Sequence, residues 1–337
     1  MPAGSDFVTF GSMANLSIPG IHHVTAIAGD PLRNISFYTQ VLGLRLVKKT
    51  VNFDDPGTYH LYYGDRTGTP GTILSFFPWP RAPKGRKGFA QPRAVSFAIP
   101  LDSISYWSER LAAHGVSAGA PRERWDEMVI SLQDPDGIDL ELVAAQSLLD
   151  VDRWEGSPVP SERAIHGFHS VTLWELDAGP TVDFLTRTLG FMAAAESGER
   201  LRLIVPPGEP GTGVGRVIDI IEAGDALRAT VGVGTIHHVA FRAPGGPEQV
   251  AWRGSLLGGG FEVTPIINRQ YFHSIYFHEP GGVLLEIATD PPGFTLDEGA
   301  DELGTNLKLP TQYEPARAKI EALLPPLEPE GRALEEE

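Results

Sequence analysis

The stretch GIHHVTAIAGD occupies residues 20–30, and GTIHHVAFRAP occupies residues 234–244. Each places the tripeptide His-His-Val near the start of an apolar run of a length typical of a buried strand. A single histidine in such a run is more often a packed residue than a ligand, because histidine has only an intermediate tendency to be buried. Two copies in equivalent surroundings, far apart in the chain, instead indicate an internal repeat.

Two further pairs of segments support the repeat. FYTQVLGLRLV resembles FLTRTLGFMAA, and DPDGIDLELVA resembles EPGGVLLEIAT. Extending these pairs outward gives four copies of one pattern, in which a strand is followed by a helix and then by three strands. In the first copy, the helix is predicted from apolar side chains at helical spacing over residues 31–43, with proline in the first turn and glycine at the end. The four copies open near Ile21, Arg93, Gly167 and Thr235.

The composition is that of a globular protein. The chain has 337 residues, of which 42% are hydrophobic and 21% are charged, so it can fill the cores of two domains of ordinary size. It contains no cysteine, which excludes disulfides and thiolate metal sites. Any metal ion must therefore be held by His, Asp or Glu.

The charge and the chain ends limit the partners. A formal net charge of −16 argues against nucleic acid, because binding of phosphates needs clustered Lys and Arg. No apolar run reaches the length that spans a membrane, and residues 1–19 lack the basic start and apolar segment of a secretory signal. We expect a cytoplasmic protein without a membrane or nucleic-acid partner. A homo-oligomer is compatible with the sequence, which does not define the oligomeric state.

Four modules of this kind resemble the vicinal oxygen chelate superfamily, which includes glyoxalases, extradiol dioxygenases and bleomycin-resistance proteins. The resemblance implies an α+β fold in which four βαβββ modules form two cup-shaped, eight-stranded mixed sheets with helices outside. We predict a flexible lead-in over residues 1–19 and two domains over residues 20–150 (modules one and two) and 165–290 (modules three and four). The remainder, residues 291–337, is predicted to be a tail with one short helix at EPARAKIEALL.

In this superfamily, the resemblance places metal ligands early in the first strand of a module and on its last strand. Aligning the first strands IHHVT and IHHVA with FHSVT and AVSFAI puts His23 and His238 at the ligand position. The same position is Ser170 in the third copy and Val95 in the second. Only the first and fourth modules therefore offer a histidine.

The last strands are aligned in the same way. GVLLEIA, GIDLELV, GRVIDII and GTILSFF put Glu286, Glu141, Asp219 and Ser75 at one position. Pairing neighbouring modules leaves each cup without two histidines, whereas pairing the first module with the fourth gathers His23, His238 and Glu286. We therefore predict one metal ion per chain, in a cup built from both ends of the sequence, and interpret Glu141 as structural.

Two histidines and one carboxylate form the triad of non-haem Fe(II) oxygenases, which leaves coordination positions open for a substrate and O₂. Strict alternation along a strand predicts that His23 and Thr25 share one face, whereas His22 and Val24 share the other. An unpaired carboxylate at Glu286, within VLLEIA, would cost at least a few kcal/mol to bury, and a metal ion would offset that cost.

Longer motifs resemble a narrower family. GIHHVTAI, NISFYTQVLGLRLVKKTVNFDDP, YHLYYGD and NRQYFHSIYFHEPGGVLLEIATDPPGF are together similar to the ring-cleaving dioxygenases that act on hydroquinones. This resemblance implies Fe(II), or Mn(II) in its place, held by His23, His238 and Glu286, with an aromatic diol and O₂ as substrates. It also implies catalytic roles for His22, His237, Arg269 and Tyr276, and substrate binding by Thr25, Arg269 and Tyr276.

Two other functions remain open at this point. A glyoxalase-type isomerase or lyase commonly uses a fourth protein ligand, and the matching position here is Ser75. A metal-free protein that sequesters a drug has no need of the His-His-Glu set. The retained ligands therefore favour the dioxygenase over both.

Overall fold

The computed structural model describes residues 16–146, 148, 150–206 and 215–327. Most of the predicted lead-in, residues 1–15, and the end of the predicted tail, after residue 327, lie outside this part of the chain. Within it, each of the four predicted modules has the order strand, helix, three strands.

In the described part of the chain, the modules supply sixteen strands and four of the five α-helices. The first module contains β1 (Ile21–Ala28), α1 (Pro31–Ser36), β2 (Arg45–Val51), β3 (Tyr59–Gly64) and β4 (Ile73–Pro78). The second contains β5 (Gln91–Ile99), α2 (Ile104–Ala113), β6 (Arg122–Arg124), β7 (Glu127–Gln133) and β8 (Asp139–Ala144). The third contains β9 (Phe168–Glu175), α3 (Ala178–Arg187), β10 (Met192–Ser197), β11 (Arg200–Ile204) and β12 (Val217–Glu222). The fourth contains β13 (Thr235–Ala243), α4 (Gly246–Gly258), β14 (Ile267–Asn268), β15 (His273–His278) and β16 (Leu284–Thr289).

The strands form two eight-stranded mixed sheets. The site sheet has the order β14-β15-β16-β13-β1-β4-β3-β2 and unites the first module with the fourth. The second sheet has the order β10-β11-β12-β9-β5-β8-β7-β6 and unites the second module with the third. The α+β fold and the pairing of the two ends of the chain are thus confirmed. Each of the segments 20–150 and 165–290 contributes half of each sheet.

Buried apolar runs explain why the central strands lie where they do. All eight residues of β1 are buried, and β13 pairs with it in antiparallel orientation. Gly234 leads into β13 with a φ of 84°, and a Cβ there would lie 2.4 Å from the carbonyl oxygen of Asp136. Only glycine fits both this conformation and this close approach, so the entry to the strand is fixed by the sequence.

Helix α4 shows how the helices cover the sheets. Its buried residues Gln249, Trp252 and Leu256 fall on one face, at the spacing of helical turns. The side-chain amide of Gln249 donates to the carbonyl oxygens of His273 and Ile287, at 2.6 and 2.8 Å. These bonds tie α4 to the outer strands of the site sheet.

A β-bulge interrupts each of the four first strands. At the centre of the site sheet, the extra residues are His22 in β1 and His237 in β13. In the second sheet, they are Arg93 and His169. Strict alternation was therefore the wrong expectation for the His-His pairs, because a bulge lets neighbouring side chains point in similar directions.

The strand register also corrects one alignment. Glu286 pairs with Ala240 and Glu141 pairs with Ser96, so the ligand position lies two residues before each of these partners. In the second module that position is Ala94 rather than Val95. The alignment of AVSFAI was one residue out of register, because PRAVS, residues 92–96, is the segment that matches IHHVT and has its bulge at the same position.

The tail contains the predicted helix and also supports the site sheet. Helix α5 spans Arg317–Leu323 and follows a short helical turn at Glu314–Ala316. Lys48, fully buried on β2, donates to Asp297 and Glu298 at 2.7 and 2.5 Å. Within the described residues, no helix is both long enough and apolar enough to cross a membrane.

Candidate metal centre

Three buried side chains converge where β1, β13 and β16 lie side by side. The Nε2 atoms of His23 and His238 are 3.3 Å apart. Oε2 of Glu286 lies 3.3 Å from the former and 2.9 Å from the latter. Among the described residues, this is the one cluster of three or more His, Asp or Glu whose ligand atoms come together within 4.8 Å.

The spacing and surroundings fit a metal ion. Ligand atoms about 2.1 Å from a metal and at right angles to one another are about 3 Å apart, close to the three distances above. Glu286 has no exposed surface, and neither of its oxygens has a hydrogen-bond donor in the described part of the chain. A buried carboxylate in that state is costly unless a cation is present. The arrangement therefore has the chemistry of a two-histidine, one-carboxylate site.

The electrostatics keep the ligands in the forms that bind metal. Burial by itself would raise the pKa of Glu286, but His23 and His238 beside it hold that pKa well below its usual range. Burial lowers the pKa of His238, which favours the neutral imidazole. An ionised carboxylate and a neutral histidine are the protonation states that a metal ion requires.

The bulged histidines lie behind the ligand histidines. Nδ1 of His22 is 2.9 Å from Nδ1 of His23, and Nδ1 of His237 is 2.8 Å from Nδ1 of His238. Burial, and then the neighbouring histidine, lowers the pKa of His22 well below its usual value and that of His237 to about 3. Each neutral partner can accept from the Nδ1–H of its ligand histidine, which leaves Nε2 of the ligand for the metal.

A cavity of about 250 Å³ opens beside the three ligands. Its walls are mainly aromatic and apolar, and a few polar groups converge within them. A larger open groove, about 1080 Å³ in volume, lies elsewhere and contains none of the three ligands. The smaller cavity suits a flat, ring-shaped molecule with few polar substituents. Its lining includes Thr25, Asp54, His60, Tyr62, Phe77, Trp79, His237, Arg269, Phe272 and Tyr276.

Arg269 and Tyr276, for which the resemblance implied catalytic roles, both line this cavity and contact each other. The Arg269 Nε–H donates to the Tyr276 hydroxyl oxygen at 3.2 Å, and the guanidinium lies over the ring at 5.3 Å from its centroid. The Tyr276 hydroxyl keeps its own hydrogen for another acceptor. Burial, followed by the nearby Glu286, raises the pKa of Tyr276, so the phenol stays protonated at neutral pH.

Asp54 was not predicted as a site residue. Its carboxylate accepts from Arg269 Nη1 at 2.9 Å, and it lies on the exposed loop between β2 and β3. The loop is bound to the tail, because the Tyr313 hydroxyl donates to the Phe53 carbonyl oxygen at 2.7 Å. No sequence signal marks this contact, since it joins two loops that lie far apart in the chain.

The sequence did contain a signal for Tyr62 that was missed. Tyr276 pairs with Glu286, and Tyr62 pairs with Ser75, which is the equivalent of Glu286 in the first module. Tyr62 is thus the repeat counterpart of Tyr276. Extending the internal alignment to the third strand of each module would have identified it.

In the second sheet, arginines take the place of a metal ion. Asp219 accepts from Arg200 at 2.9 Å and from Arg202 at 2.8 Å. Glu141 accepts from Arg124 at 2.7 Å and from Ser96 at 2.8 Å. Both carboxylates already have cationic partners. The second sheet thus lacks histidines at the positions equivalent to His23 and His238, and its carboxylates at the position equivalent to Glu286 are neutralised by arginines.

Comparison with known proteins assigns the chain to a superfamily. The sequence model of the Glyoxalase/Bleomycin resistance protein/Dioxygenase superfamily matches residues 20–142 and 167–295, the greater part of the chain. The chain belongs to this superfamily. The superfamily resemblance drawn from the repeats is confirmed.

Similar proteins within the superfamily cover nearly the whole chain. "Putative ring-cleaving dioxygenase MhqO" of Bacillus subtilis is 42% identical over 92% of this chain and 96% of its own length. "Chlorohydroquinone/hydroquinone 1,2-dioxygenase" of Sphingobium indicum is 32% identical over 90% of this chain and 95% of its own. The crystal structure of a putative dioxygenase from Bacillus subtilis superposes with a TM-score of 0.88 at 41% identity, covering 93% of this chain and 98% of that one.

Proposed function

We propose that this chain is an Fe(II)-dependent dioxygenase that opens the ring of a hydroquinone-type aromatic diol with O₂. The observation that carries the proposal is the convergence of His23, His238 and Glu286 on one point, beside a cavity of about 250 Å³. The names of the relatives described above support the reaction class. Mn(II), which accepts the same nitrogen and oxygen ligands, is the alternative metal.

The three ligands would hold the metal on one side and leave the side that faces the cavity for substrate. When bound, Fe(II) supplies open coordination positions for a phenolate oxygen and O₂, and the electron density that activates O₂. The aromatic walls formed by Phe77, Trp79 and Phe272 would enclose the ring and exclude water.

Arg269 and Tyr276 would act on the oxygen atoms of the reacting ring. The Arg269 guanidinium is a permanent cation, so it favours the phenolate form of a bound diol. The Tyr276 hydroxyl accepts from Arg269, and its own hydrogen is therefore available to an oxygen that gains negative charge during cleavage. His237 also lines the cavity, and because its Nδ1 accepts from His238, its Nε2 carries the hydrogen and would donate to an oxygen of the bound diol.

The two alternative functions are less consistent with the site. A fourth ligand at the position equivalent to Glu286 would have to be Ser75, whose hydroxyl is hydrogen-bonded to Thr25 and His60. That occupancy argues against a four-ligand isomerase. A metal-free drug-binding protein gives no role to a fully buried carboxylate between two histidines.

The test is O₂ consumption by protein purified and loaded with Fe(II) under anaerobic conditions. We expect uptake of one O₂ per hydroquinone consumed, slower uptake with catechol, and no conversion of the methylglyoxal–thiol adduct. Glu286→Gln, loaded in the same way, is the matched control and should be inactive. Isomerisation of the adduct without O₂ uptake, or no O₂ uptake with either diol, would overturn the proposal.

A further inference from the structure

Four side chains form a hydrogen-bonded row along one wall of the cavity. The Tyr62 hydroxyl is 2.8 Å from Nδ1 of His60, and Nε2 of His60 is 3.0 Å from the Ser75 hydroxyl. The Ser75 hydroxyl is in turn 2.9 Å from the Thr25 hydroxyl. All four residues belong to the first module, on β1, β3 and β4. We call Tyr62, His60, Ser75 and Thr25 the hydroxyl row.

The hydroxyl row ends beside the metal ligands. Thr25 follows His23 by two residues on β1, and both line the cavity. Ser75 pairs with Thr25 in the sheet and occupies the position that Glu286 has in the fourth module. Since Thr25 and Ser75 have no exposed surface, bulk water does not compete for their hydrogen bonds.

Each member of the row carries one hydrogen that it can donate along the row, provided that His60 is neutral. Burial lowers the pKa of His60 well below its usual value, and the imidazole is therefore neutral at pH 7. Ser75 has no side-chain hydrogen-bond partner among the described residues besides His60 and Thr25, so its buried hydrogen is bonded only if the four hydrogens run in one direction. Either Tyr62 donates to His60 and Thr25 is left with a free hydrogen, or Thr25 donates to Ser75 and Tyr62 is left with one.

The chemistry of the partners selects the first direction. A phenol is a stronger donor than an aliphatic alcohol, because its pKa is about 10, so Tyr62 is the better donor to an imidazole nitrogen. An aliphatic hydroxyl is also the better acceptor for the imidazole N–H, which favours donation from Nε2 to Ser75. Within the described part of the chain, the Tyr62 hydroxyl has no hydrogen-bond partner other than His60.

We infer that the hydroxyl row fixes Thr25 as a hydrogen-bond donor toward an oxygen of the aromatic substrate at the metal centre, with His60 as the positioning residue. This inference rests on the proposed function for the identity of the ligand. Tyr62 donates to Nδ1, Nε2–H donates to Ser75, Ser75 donates to Thr25, and the Thr25 hydrogen is left for the substrate.

The surroundings hold His60 in the orientation that the row requires. Its ring lies between Tyr62 and Phe77, with centroid distances of 4.0 and 4.2 Å. The fourth module has no such row, since its counterparts of His60, Ser75 and Thr25 are Ser274, Glu286 and Ala240. At this position the first module thus has Ser75, a hydrogen-bond donor, whereas the fourth module has Glu286, a candidate metal ligand.

The direct test is the tautomer of His60, read from ¹⁵N chemical shifts of the full chain labelled at histidine and loaded with diamagnetic Zn(II). The resonances are assigned by their absence in His60→Asn. We expect a neutral ring at pH 7 with the proton on Nε2, and a shift of that resonance in Ser75→Ala. A proton on Nδ1, or a charged ring at pH 7, would overturn the inference.

Kinetics of the Fe(II)-loaded enzyme give a second readout. Ser75→Ala should lower kcat by about 3- to 10-fold with little change in KM, because it weakens but does not remove the donor. Thr25→Val should lower kcat further, Thr25→Ser should restore the loss, and the double variant should be no slower than Thr25→Val. Additive losses would contradict a single row. Wild-type protein without O₂ uptake would refute the proposed function, and the tautomer would still decide this inference.

Discussion

At the scale of single residues, Glu286 shows how the site depends on its neighbours. A carboxylate with no exposed surface and no hydrogen-bond donor is stable only beside positive charge. His23 and His238, whose nitrogens lie about 3 Å away, supply that charge only when they are protonated, whereas a divalent cation between the ligands supplies it with both histidines neutral. The same argument explains why Asp219, which has two arginines, needs no metal ion.

A first prediction concerns Tyr276 and Arg269. Tyr276→Phe and Arg269→Ala should retain iron, because neither residue is a ligand, and should lower kcat by about 100- to 1,000-fold, as removal of one donor to a developing oxyanion does. The measurement is O₂ uptake at saturating hydroquinone together with iron content. Tyr106→Phe on α2, far from the cavity, is the matched control. Turnover within twofold of wild type in both site variants would contradict these roles.

The internal repeat led to His23, His238 and Glu286, because it compares equivalent positions of the four modules, and the structure brings these three side chains together. The resemblance to the superfamily gave the two positions to compare, and at those positions His23 and His238 differ from Ser170, and Glu286 differs from Ser75. The contact of Asp54 with Arg269 and the order of the hydroxyl row could not be predicted from the sequence, since both depend on contacts between segments that are distant in sequence. His60 gave no signal either, because its counterpart in the fourth module is Ser274.

At the scale of elements, the bulges decide how the first strands present their side chains. Alternation places neighbouring residues on opposite faces, yet each His-His pair brings its two Nδ1 atoms within 2.9 Å. An extra residue in the strand makes this possible, and it occurs immediately before the ligand position in all four modules. A bulge depends on the pairing of two strands, so the pattern of one strand did not predict it.

A second prediction separates the structural carboxylate from the ligand. Glu141→Gln should keep iron and turnover, because Glu141 lies in the second sheet. It should lower the free energy of unfolding by about 1–3 kcal/mol, since Arg124, with 8% of its surface exposed, loses its charged partner. Urea unfolding and iron content measure the two effects. Loss of iron in this variant would show that the second sheet contributes to the metal site.

At the scale of the whole molecule, a buried pair of carboxylates lies where the two sheets meet. Glu175 ends β9 of the second sheet and lies against Gly281, in the turn between β15 and β16 of the site sheet. Glu279 in that turn accepts from Thr181 at 2.7 Å and from two backbone amides. Burial, and then Glu279, raises the pKa of Glu175 to about 8, although Arg228 acts in the opposite direction.

The third prediction is a loss of stability with rising pH. Above the usual pKa of a glutamate the unfolded chain releases this proton, whereas the folded chain keeps it up to about pH 8. The free energy of unfolding therefore falls as pH rises from 5 to 8, at a limiting slope of about 1.4 kcal/mol per pH unit from this group. Glu175→Gln should reduce that slope in urea unfolding, and the exposed Glu199→Gln should not. An unchanged slope in Glu175→Gln would contradict the assignment.

The most direct measurement of the central claim is the iron content of the full chain after anaerobic loading with Fe(II) and removal of free metal. The account predicts one iron per chain in wild type and in Glu141→Gln, and none in Glu286→Gln, because only the cup built from both ends of the sequence holds a complete ligand set. One iron per chain retained in Glu286→Gln, or two in wild type, would contradict it.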